Sequence, residues 1–416
     1  MKTILIIYPH WPPSNLAGVH RARLISNFLP DFGWHPIVLT VKSEYYEEKP
    51  DYDFLKTVSP KTEVIYTKAR KIGKIRIIGD IGLRAFKYLK KKALKIIYER
   101  KIDFVWIPIP SFYVAILGRI IHNKTKVKYG IDYIDPWVRN ISNRKNLRAI
   151  LSNIVARILE PYAVKKASLI SGVSTPYYQP VIIRNFKNKK IEHIGMPYGF
   201  DSNDHKIKLD NIELPWDNYP NCKPIVYAGA FLPLSGYFTQ LLFKAIKQLR
   251  DEKSIDVSIK LFFIGTGNYT HKSIKDYAIE EGIDDIVIEI RDRFPFLQIL
   301  NFLSNSYGVM IIGSTEKHYS ASKTFQSLLS KKTVFTIFHS ESSAVEVMKE
   351  CNANQYTVEY SEDETEEQLF IKIKGSFKSF INNEKEWNPK LSKLEKYSAK
   401  ESARKLVEKI EKVISK

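Results

Sequence analysis

Short apolar runs alternate along the whole chain with longer stretches of helical spacing. Residues 1–200 contain seven such runs, beginning with TILIIY at 3–8 and HPIVLT at 35–40, and helical stretches at 21–29, 82–100 and 148–166. From residue 223 the series restarts with KPIVYAG, SIKLFFIG, DIVIEI, YGVMIIG and KTVFTIF. Strands that alternate with helices of this length form parallel sheets with helices on both faces. The pattern therefore predicts an α/β fold of two doubly wound, Rossmann-like domains.

The predicted boundary between the two domains lies near residue 200. Residues 198–224 are polar, contain three prolines and lack sustained apolar periodicity. We predict an N-terminal domain over 1–200, a linker over 201–222, a C-terminal domain over 223–390 and a terminal segment over 391–416. In this last segment Leu406, Ile410 and Val413 share one helical stripe. We therefore expect a C-terminal helix that crosses back to the first domain.

The composition fits a folded protein that depends on neither disulfides nor metals. The chain has 416 residues, of which 44% are hydrophobic, so it can bury a sizeable core and its length favours two domains. No window approaches the roughly 18 to 20 apolar residues of a membrane span. The two cysteines, Cys222 and Cys351, form neither a disulfide framework nor a zinc site. We therefore expect a cytoplasmic protein with no metal and no cofactor.

Positive charge is concentrated in the first half of the chain. The formal net charge is +20, and residues 1–200 hold 35 Lys and Arg against 14 Asp and Glu, a net +21. Within 68–101 apolar residues recur at helical spacing among Lys87, Lys90, Lys91 and Lys95. This basic face is either an ordinary solvated surface or a surface attracted to anionic lipid headgroups. Nucleic acid is not an expected partner, because no helix-turn-helix, RRM, KH or zinc-finger pattern accompanies the charge.

The turn after the first apolar run differs from a dinucleotide-binding turn. Its sequence, YPHWPPSNLAGVHRAR at 8–23, contains one glycine where a dinucleotide site would carry three. GxGxxG, P-loop and GxSxG motifs are likewise absent from the sequence, which argues against a Rossmann dehydrogenase. Ligands of parallel sheets bind beyond the carboxyl ends of the strands. The loops that follow strands, facing a cleft between the two domains, are therefore the predicted site.

Six segments in chain order carry a family resemblance: YPHWPPSNLAGVHRARLISNFLPDFGWHPIVLT, IDYIDPWVRN, GMPYGFD, YAGAFLPLSG, FFIGTGNYTHKSIKDYAIEEGIDDIVI and SASKTFQSLLSKKTVFTI. Together they resemble the GT-B glycosyltransferases of the family 4-like group. Such enzymes transfer a sugar from a nucleotide-sugar with retention at the anomeric carbon and without a bound metal. Many build polysaccharides, lipopolysaccharide or glycolipids at the inner face of the bacterial membrane. The resemblance implies a nucleotide-sugar donor, a saccharide or lipid-linked acceptor, and a donor site mainly on the second domain.

Loop glycines and a serine-lysine pair carry the prediction on the donor side. Gly229, Gly265 and Gly267 follow strands, and glycine permits a sharp turn and close approach of the backbone to a ligand. For the two glycines of FFIGTGN, the alternative is that they only begin the next helix. Ser322 and Lys323 open a helix whose N-terminus would hold a pyrophosphate. The resemblance implies that Lys323 contacts the donor phosphates.

Several positions depart from the family pattern. The two glutamates of the family would fall at His318, predicted as catalytic near the sugar, and at Gln326, predicted on the ribose. A neutral imidazole keeps one acceptor, and an amide binds ribose hydroxyls less strongly than a carboxylate. Ala230 and Ser235 stand where the family has a cationic clamp on the diphosphate. The candidates to supply the missing charge are Lys323, Arg291 and Arg293.

The acceptor side is predicted from IDYIDPW. Asp132 and Asp135 lie at the end of a strand, and the intact Asp-Pro-Trp triplet of the family points to Asp135 as catalytic. The alternative is an aspartate that only organises a turn before proline. Trp137 offers an apolar face on which a sugar would stack. We interpret Glu160, before the sixth strand, as structural.

The opening turn contributes three further candidates. Gly18 would let the backbone approach the donor phosphates or sugar. The helix that it opens would direct its N-terminus and Arg21 toward them. His20 is either a polar contact on the acceptor side or a packed surface residue.

The sequence therefore predicts a GT-B glycosyltransferase of cell-surface polysaccharide or glycolipid synthesis, cytoplasmic and at the inner face of the plasma membrane. Two alternatives remain. One is a nucleotide-sugar epimerase on the same fold, which would not need a basic membrane face. The other is a non-catalytic GT-B partner or scaffold protein, which the missing glutamates and cationic clamp keep open.

Overall fold

The chain forms two compact units, each built on a parallel sheet. The structure is a computed structural model that describes residues 1–72, 79–139, 147–187, 189–314 and 322–416. The first unit comprises Met1–Asp201 together with Tyr397–Lys416, and the second comprises Ser202–Lys396. None of the described helices is long and apolar enough to cross a membrane. The predicted α/β class with two doubly wound, Rossmann-like domains is confirmed.

In the first unit, strands and helices alternate as the apolar pattern predicted. Its elements are β1 (Lys2–Ile7), α1 (Ala17–Phe28), β2 (Trp34–Val41), β3 (Glu63–Thr67), α2 (Ile81–Glu99), β4 (Phe104–Ile109), α3 (Ala115–Thr125), β5 (Lys128–Tyr133), α4 (Leu147–Val164), β6 (Leu169–Gly172), α5 (Thr175–Asn185) and β7 (Glu192–Gly195). The later part of the basic stretch forms α2, which begins after Asp80, whose carboxylate accepts from the N–H of Leu83 at 2.8 Å.

The seven strands of this unit form one parallel sheet in the order β3-β2-β1-β4-β5-β6-β7. In the central pair, Lys2 lies opposite Trp34 and Ile7 opposite Leu39. Both faces of β1 are covered, and its last four residues, 4 to 7, are fully buried. Strand order reverses between β1 and β4, so the loops after these strands leave the sheet at its switch point.

The second unit repeats the alternation. Its elements are β8 (Lys223–Ala228), α6 (Gly236–Asp251), β9 (Ile259–Ile264), α7 (Ile274–Glu280), β10 (Val287–Ile290), α8 (Phe296–Asn305), β11 (Gly308–Ile312), α9 (Ser322–Leu329), β12 (Thr333–His339), α10 (Ser343–Glu350), β13 (Thr357–Tyr360) and α11 (Glu366–Ile381). The parallel strand order is β10-β9-β8-β11-β12-β13, with the switch point between β8 and β11.

The edge strand β13 was not predicted from the sequence. It has four residues, and its side chains alternate between half-buried and buried positions, Thr357 and Glu359 against Val358 and Tyr360. Because Thr357 and Glu359 are polar, half of this short strand is not apolar, and no apolar run marks it in the sequence.

The C-terminal segment contributes a helix to the first unit. Helix α12 (Ala399–Ile414) packs on α1 and β7, with the side chains of Leu406 and Ile410 fully buried. Its Glu411 accepts a hydrogen bond from the indole N–H of Trp34 at 3.0 Å. Ser402 donates to the carbonyl oxygen of Pro197 at 3.0 Å. The helix thus closes the sheet edge and one helical layer of this unit.

Candidate functional site

The carboxyl ends of β8 and β9 enclose a cavity in the second unit. Its volume is about 280 Å³, and the residues that line it are Ala228, Gly229, Ala230, Ile264, Gly265, Gly267, Arg293, Phe294 and Ile299. Loops after β8, β9 and β10 all contribute, as expected where parallel strands end. We call this space the β8–β10 cavity. Three of the glycine candidates and Arg293 are therefore brought together.

The side chain of Lys323 lies against the loop that follows β8. Its Nζ donates to the hydroxyl oxygen of Tyr227 at 3.1 Å and to the carbonyl oxygen of Ala230 at 3.2 Å. The Tyr227 hydroxyl in turn donates to the same carbonyl at 2.8 Å. Because α9 follows β11, Lys323 reaches across the switch point to β8. The lysine is thereby fixed beside Ala230, which lines the cavity.

Gly229 makes this placement of Lys323 possible. Its φ is +118°, a conformation that side chains disfavour, and a Cβ at this position would lie 2.8 Å from Cε of Lys323. A residue with a side chain would therefore both strain the turn and displace the lysine. The predicted role of Gly229 was close backbone approach to a ligand, and the close approach present in the structure is to Lys323.

The ammonium group of Lys323 is a poorly solvated cation. Burial lowers its pKa from the ordinary 10.5 to about 8. No carboxylate among the described residues forms an ion pair with it, and its nearest aromatic neighbour is the Tyr227 ring, 4.5 Å from Nζ to the centroid. An anion bound beside Lys323 would favour its charged form and compensate for its lost hydration.

A second cation, Arg291, is held at the loop after β10. Its guanidinium lies 4.4 Å from the centroid of the Tyr269 ring, and its Nε lies 3.6 Å from Oε1 of Glu289. That carboxylate also accepts from the hydroxyls of Tyr269 at 2.6 Å and Thr266 at 2.8 Å. Burial, and then the bond to Glu289, raise the pKa of Tyr269 to about 12. Arg291 is thus partly neutralised, unlike Lys323.

Gly265 and Gly267 shape the turn after β9 through their backbone dihedrals. Their φ values are +71° and +82°, and the N–H of Gly267 donates to the carbonyl of Arg291 at 3.0 Å. A Cβ at Gly267 would meet no atom within 4 Å. Glycine is therefore required here by conformation, not by crowding. These glycines bend the chain instead of starting a helix, since α7 begins at Ile274.

Gln326 has a protein partner that the sequence did not reveal. Its carboxamide oxygen lies 2.7 Å from Nε2 of His205, a residue of the predicted linker. Burial lowers the pKa of His205. The imidazole Nδ1 is buried without a hydrogen-bond partner in the described structure. Part of the hydrogen-bonding capacity that we assigned to the ribose is thus used within the second unit.

Fewer contacts are described for the remaining donor-side candidates. Predicted catalytic His318 lies outside the described residues, and Ser322 is the first residue of α9. Glu289 and Tyr269 were missed by the sequence analysis. A glutamate within the otherwise apolar strand VIEI was the available signal for the first of these.

In the first unit, Arg21 forms a buried ion pair. Its Nε and Nη2 donate to the two carboxylate oxygens of Asp132 at 3.0 and 3.2 Å, and its Nη1 donates to the carbonyl of Pro197 at 2.6 Å. Ser171 also donates to Asp132, at 2.6 Å. Both charged side chains are fully buried. This differs from the predicted contact of Arg21 with the donor, because the guanidinium has no surface left for a ligand.

Neighbouring side chains likewise fill the space beside Gly18 and contact the imidazole of His20. A Cβ at Gly18 would lie 2.0 Å from the hydroxyl oxygen of Tyr8, so a tyrosine fills the space that we had expected a ligand to use. The Nε2 of His20 lies 2.8 Å from Oδ1 of Asn15. Burial, and then the charge of Arg23, lower the pKa of His20 to about 3. The neutral, packed alternative for His20 agrees with this environment.

The aspartate and the tryptophan of the Asp-Pro-Trp triplet lie in different environments. Trp137 is only 6% exposed and stacks on Phe112, with ring centroids 5.8 Å apart and planes 10° apart. Its ring therefore belongs to the core, which differs from the predicted sugar-stacking face. Asp135 is half-buried beyond the end of β5, with no ion pair or hydrogen bond of its side chain to a described residue. Burial, with a contribution from Asp135, raises the pKa of Tyr8.

Two further expectations concern the role of Glu160 and the presence of a metal site. Glu160 is 1% exposed, pairs with Arg184 at 2.7 Å and accepts from the Asn185 amide at 3.1 Å, which agrees with a structural role. Within the described part of the chain, no group of three or more His, Cys, Asp or Glu side chains is arranged to hold a metal ion.

Comparison with known proteins identifies similar folds. No protein-family model and no curated protein matches the chain. Among solved structures, it is similar to HepE from Anabaena in complex with UDP and glucose, at 14% identity over 99% of this chain and 100% of that one, with a TM-score of 0.56. A glycosyltransferase from Rickettsia africae is 15% identical over 99% and 98% of the two chains, with a TM-score of 0.55.

A third similar structure belongs to a different class of enzyme. It is a putative UDP-N-acetylglucosamine 2-epimerase from Listeria monocytogenes, 10% identical over 100% of this chain and 97% of that one, with a TM-score of 0.55. At such identities these similarities show the fold alone, which is the two-domain GT-B fold.

Proposed function

We propose that the protein is a glycosyltransferase that moves a sugar from a nucleotide-diphospho-sugar to a saccharide or lipid-linked acceptor. The supporting observation is Lys323, a cation with no carboxylate partner among the described residues, held beside the β8–β10 cavity. A diphosphate suits a lysine and the adjoining loop backbone. HepE was solved with UDP and with UDP-glucose. A uridine-diphospho-sugar is therefore the first donor to test.

In the proposed reaction, the bond between the anomeric carbon and the diphosphate oxygen breaks and an acceptor oxygen bonds to the same carbon. The Lys323 ammonium stabilises the negative charge that develops on the departing diphosphate. We propose retention through front-face attack, in which the leaving phosphate accepts the proton of the acceptor hydroxyl. This route needs no nucleophile from the protein and, as the resemblance implies, no metal ion.

Asp135 is the proposed polar contact on the acceptor side. Its side chain is half-buried and is not engaged by a described partner, whereas neighbouring Asp132 is fully used by Arg21 and Ser171. A carboxylate in this state accepts hydrogen bonds from sugar hydroxyls. We propose that Asp135 orients the acceptor, with His318 as a candidate contact to the donor sugar.

The proposed setting is cell-surface polysaccharide or glycolipid synthesis at an anionic membrane. Support comes from α2, on which Lys87, Lys91 and Lys95 are exposed along one side. Basic residues near an anionic surface each contribute on the order of 1 kcal/mol of attraction. An acceptor with a lipid anchor would be found at such a surface.

The proposal is tested by measuring sugar transfer from UDP-sugars by wild-type protein and by Lys323→Ala. We expect the substitution to lower transfer by roughly 100-fold or more, because it removes a charge that stabilises the transition state. Lys275→Ala, at an exposed lysine of α7, is the matched control and should keep full activity. Near-normal transfer by a folded Lys323→Ala protein would contradict the assignment.

An epimerase is the second candidate, favoured by the similarity to the Listeria protein. It would convert a UDP-N-acetyl sugar into its epimer without any acceptor, so NMR of the nucleotide-sugar pool after incubation separates it from a transferase. A non-catalytic scaffold would leave the donor unchanged in both assays and bind no nucleotide.

A further inference from the structure

Helix α4 is apolar on the side that faces solvent as well as on the side that packs into the core of the first unit. Its inner positions Ala156, Ala163 and Val164 are at most 1% exposed. The outer side carries a row of exposed apolar residues: Leu147 (72%), Leu151 (63%), Ile154 (48%), Ile158 (66%) and Tyr162 (40%). We call these five residues the α4 stripe.

The spacing of the α4 stripe places its members on one line of the helix. Successive members are four, three, four and four residues apart, which is the repeat of a single helical face. Helix α2, by contrast, carries lysines on its exposed side. A contiguous apolar patch on a surface marks an interaction site.

The exposed charged residues of 147–166 are positive. Between residues 147 and 166 the sequence has one acidic residue, Glu160, which is buried against Arg184. Arg157, Lys165 and Lys166 are exposed in the same stretch. Lys165 also lines a surface groove of about 740 Å³ together with Lys128, Lys189, Lys190, Lys412 and Lys416, and the last two pair with Glu192 of the same groove. Positive charge therefore continues beyond the end of α4.

We propose that the α4 stripe docks on an anionic lipid bilayer, lying parallel to the surface with its leucine and isoleucine side chains among the acyl-chain boundary. An apolar face rimmed by Arg and Lys is the arrangement of interfacial helices. Arg157, Lys165 and Lys166 then contact lipid phosphates. The inference goes beyond the proposed reaction, because docking needs neither donor nor acceptor.

Contacts near the C-terminal end of α4 hold the helix on the protein, and one of them involves Tyr162 at the end of the stripe. Nη1 of Arg119, on α3, donates to the carbonyl of Tyr162 at 3.1 Å, and the guanidinium lies 3.9 Å from the centroid of the Tyr162 ring. Arg184 on α5 holds Glu160 from the other side. The helix is thus tied to α3 and α5, while the α4 stripe stays exposed apart from this contact of Tyr162.

Charge favours a bilayer over a second copy of the chain as the occupant. In a two-fold symmetric contact the same patch meets itself. Arg157 and Lys165 would then meet a patch that carries the same positive charges, with no exposed carboxylate in 147–166 to pair with them. An anionic bilayer instead supplies phosphates to these cations.

The test is co-sedimentation of the full chain with vesicles of phosphatidylcholine containing phosphatidylglycerol, without nucleotide. We expect Leu151→Ser/Ile158→Ser to weaken the partition coefficient by more than about tenfold, since two apolar side chains no longer leave water. Val257→Ser/Ile371→Ser is the matched control, because both residues are exposed elsewhere and at similar or greater fractions. It should bind like wild type.

The charge contribution is tested separately by Arg157→Glu/Lys165→Glu, which keeps the stripe. We expect weaker binding to the anionic vesicles, and weaker binding of wild type to pure phosphatidylcholine. Circular dichroism and nucleotide binding of each variant report whether the fold and the donor site persist. Unchanged vesicle binding by both folded double variants would overturn the proposal, as would a concentration-dependent dimer that Leu151→Ser/Ile158→Ser abolishes.

Discussion

At the scale of residues, the central feature is the mutual dependence of Gly229 and Lys323. The glycine leaves room for the lysine stem, and the lysine places its ammonium on the carbonyl of Ala230. A surface lysine would keep its hydration and an ordinary pKa, whereas this one has given up part of that hydration without gaining a described carboxylate. An anionic ligand would compensate this cation for its lost hydration.

We expect Gly229→Ala to weaken nucleotide binding and to destabilise the second unit by about 1–3 kcal/mol. The reasons are the strained φ of +118° and the contact of 2.8 Å between the added Cβ and Lys323 Cε. Calorimetric titration and urea unfolding measure the two effects. Gly375→Ala on α11, where an added Cβ meets nothing within 4 Å, is the control and should not weaken either. Equal behaviour of the two variants would contradict the coupling.

The pKa of Lys323 predicts how nucleotide affinity depends on pH. Below about 8 the side chain is charged and affinity should be constant, while above about 8 affinity should fall as the ammonium loses its proton. Lys323→Arg stays charged throughout this range and should show no such fall. Titrations from pH 6.5 to 9.5 check this. A decline shared by both proteins would assign it to another group.

The lowered pKa of Lys323 makes the stability of the fold change with pH in the opposite direction to nucleotide affinity. The unfolded chain has a lysine of ordinary pKa 10.5, so between about 8 and 10.5 it binds more protons than the folded chain. Stability of the ligand-free second unit should therefore rise over this window through Lys323, while nucleotide affinity falls.

At the scale of elements, apolar runs predicted strands well because parallel strands are covered on both faces. The run TILIIY became β1, with four consecutive buried residues. The strand β13 was not predicted, because two of its four residues, Thr357 and Glu359, are polar and no apolar run marks it. Periodicity also predicted α12 from Leu406, Ile410 and Val413.

We expect Ile410→Ala to lower the free energy of unfolding of the first unit by about 2–5 kcal/mol, because the isoleucine of α12 is fully buried. Hydrogen exchange resolved along the chain, during urea unfolding, shows which unit responds. Ile371→Ala, at a position 61% exposed on α11, is the control and should change stability little. A change confined to the second unit would contradict the packing of α12 on α1.

Candidate side chains were harder to predict than elements, because a sequence does not show which partner a polar group finds. Arg21 and Asp132 are 111 residues apart, and nothing in either motif indicated that they pair. Trp137 was recognised in its motif, but its burial depends on Phe112 from another loop. Gly229, by contrast, was found because its turn requires glycine.

At the scale of the whole molecule, the proposed membrane surface and the proposed donor site belong to different units. Excess positive charge lies in residues 1–200, and the exposed α4 stripe lies in the same unit. The β8–β10 cavity and Lys323 lie in the other unit. Substitutions in the α4 stripe should therefore weaken membrane docking without weakening donor binding, and substitution of Lys323 should do the reverse.

The most direct test of the central claim is calorimetric titration of the full chain with UDP at pH 7. We predict one UDP bound per chain, and binding at least about tenfold weaker for Lys323→Ala, because the substitution removes the cation beside the β8–β10 cavity. Lys275→Ala should bind as wild type does. Absence of UDP binding by wild type, or equal affinity of the wild-type and Lys323→Ala proteins, would contradict the account.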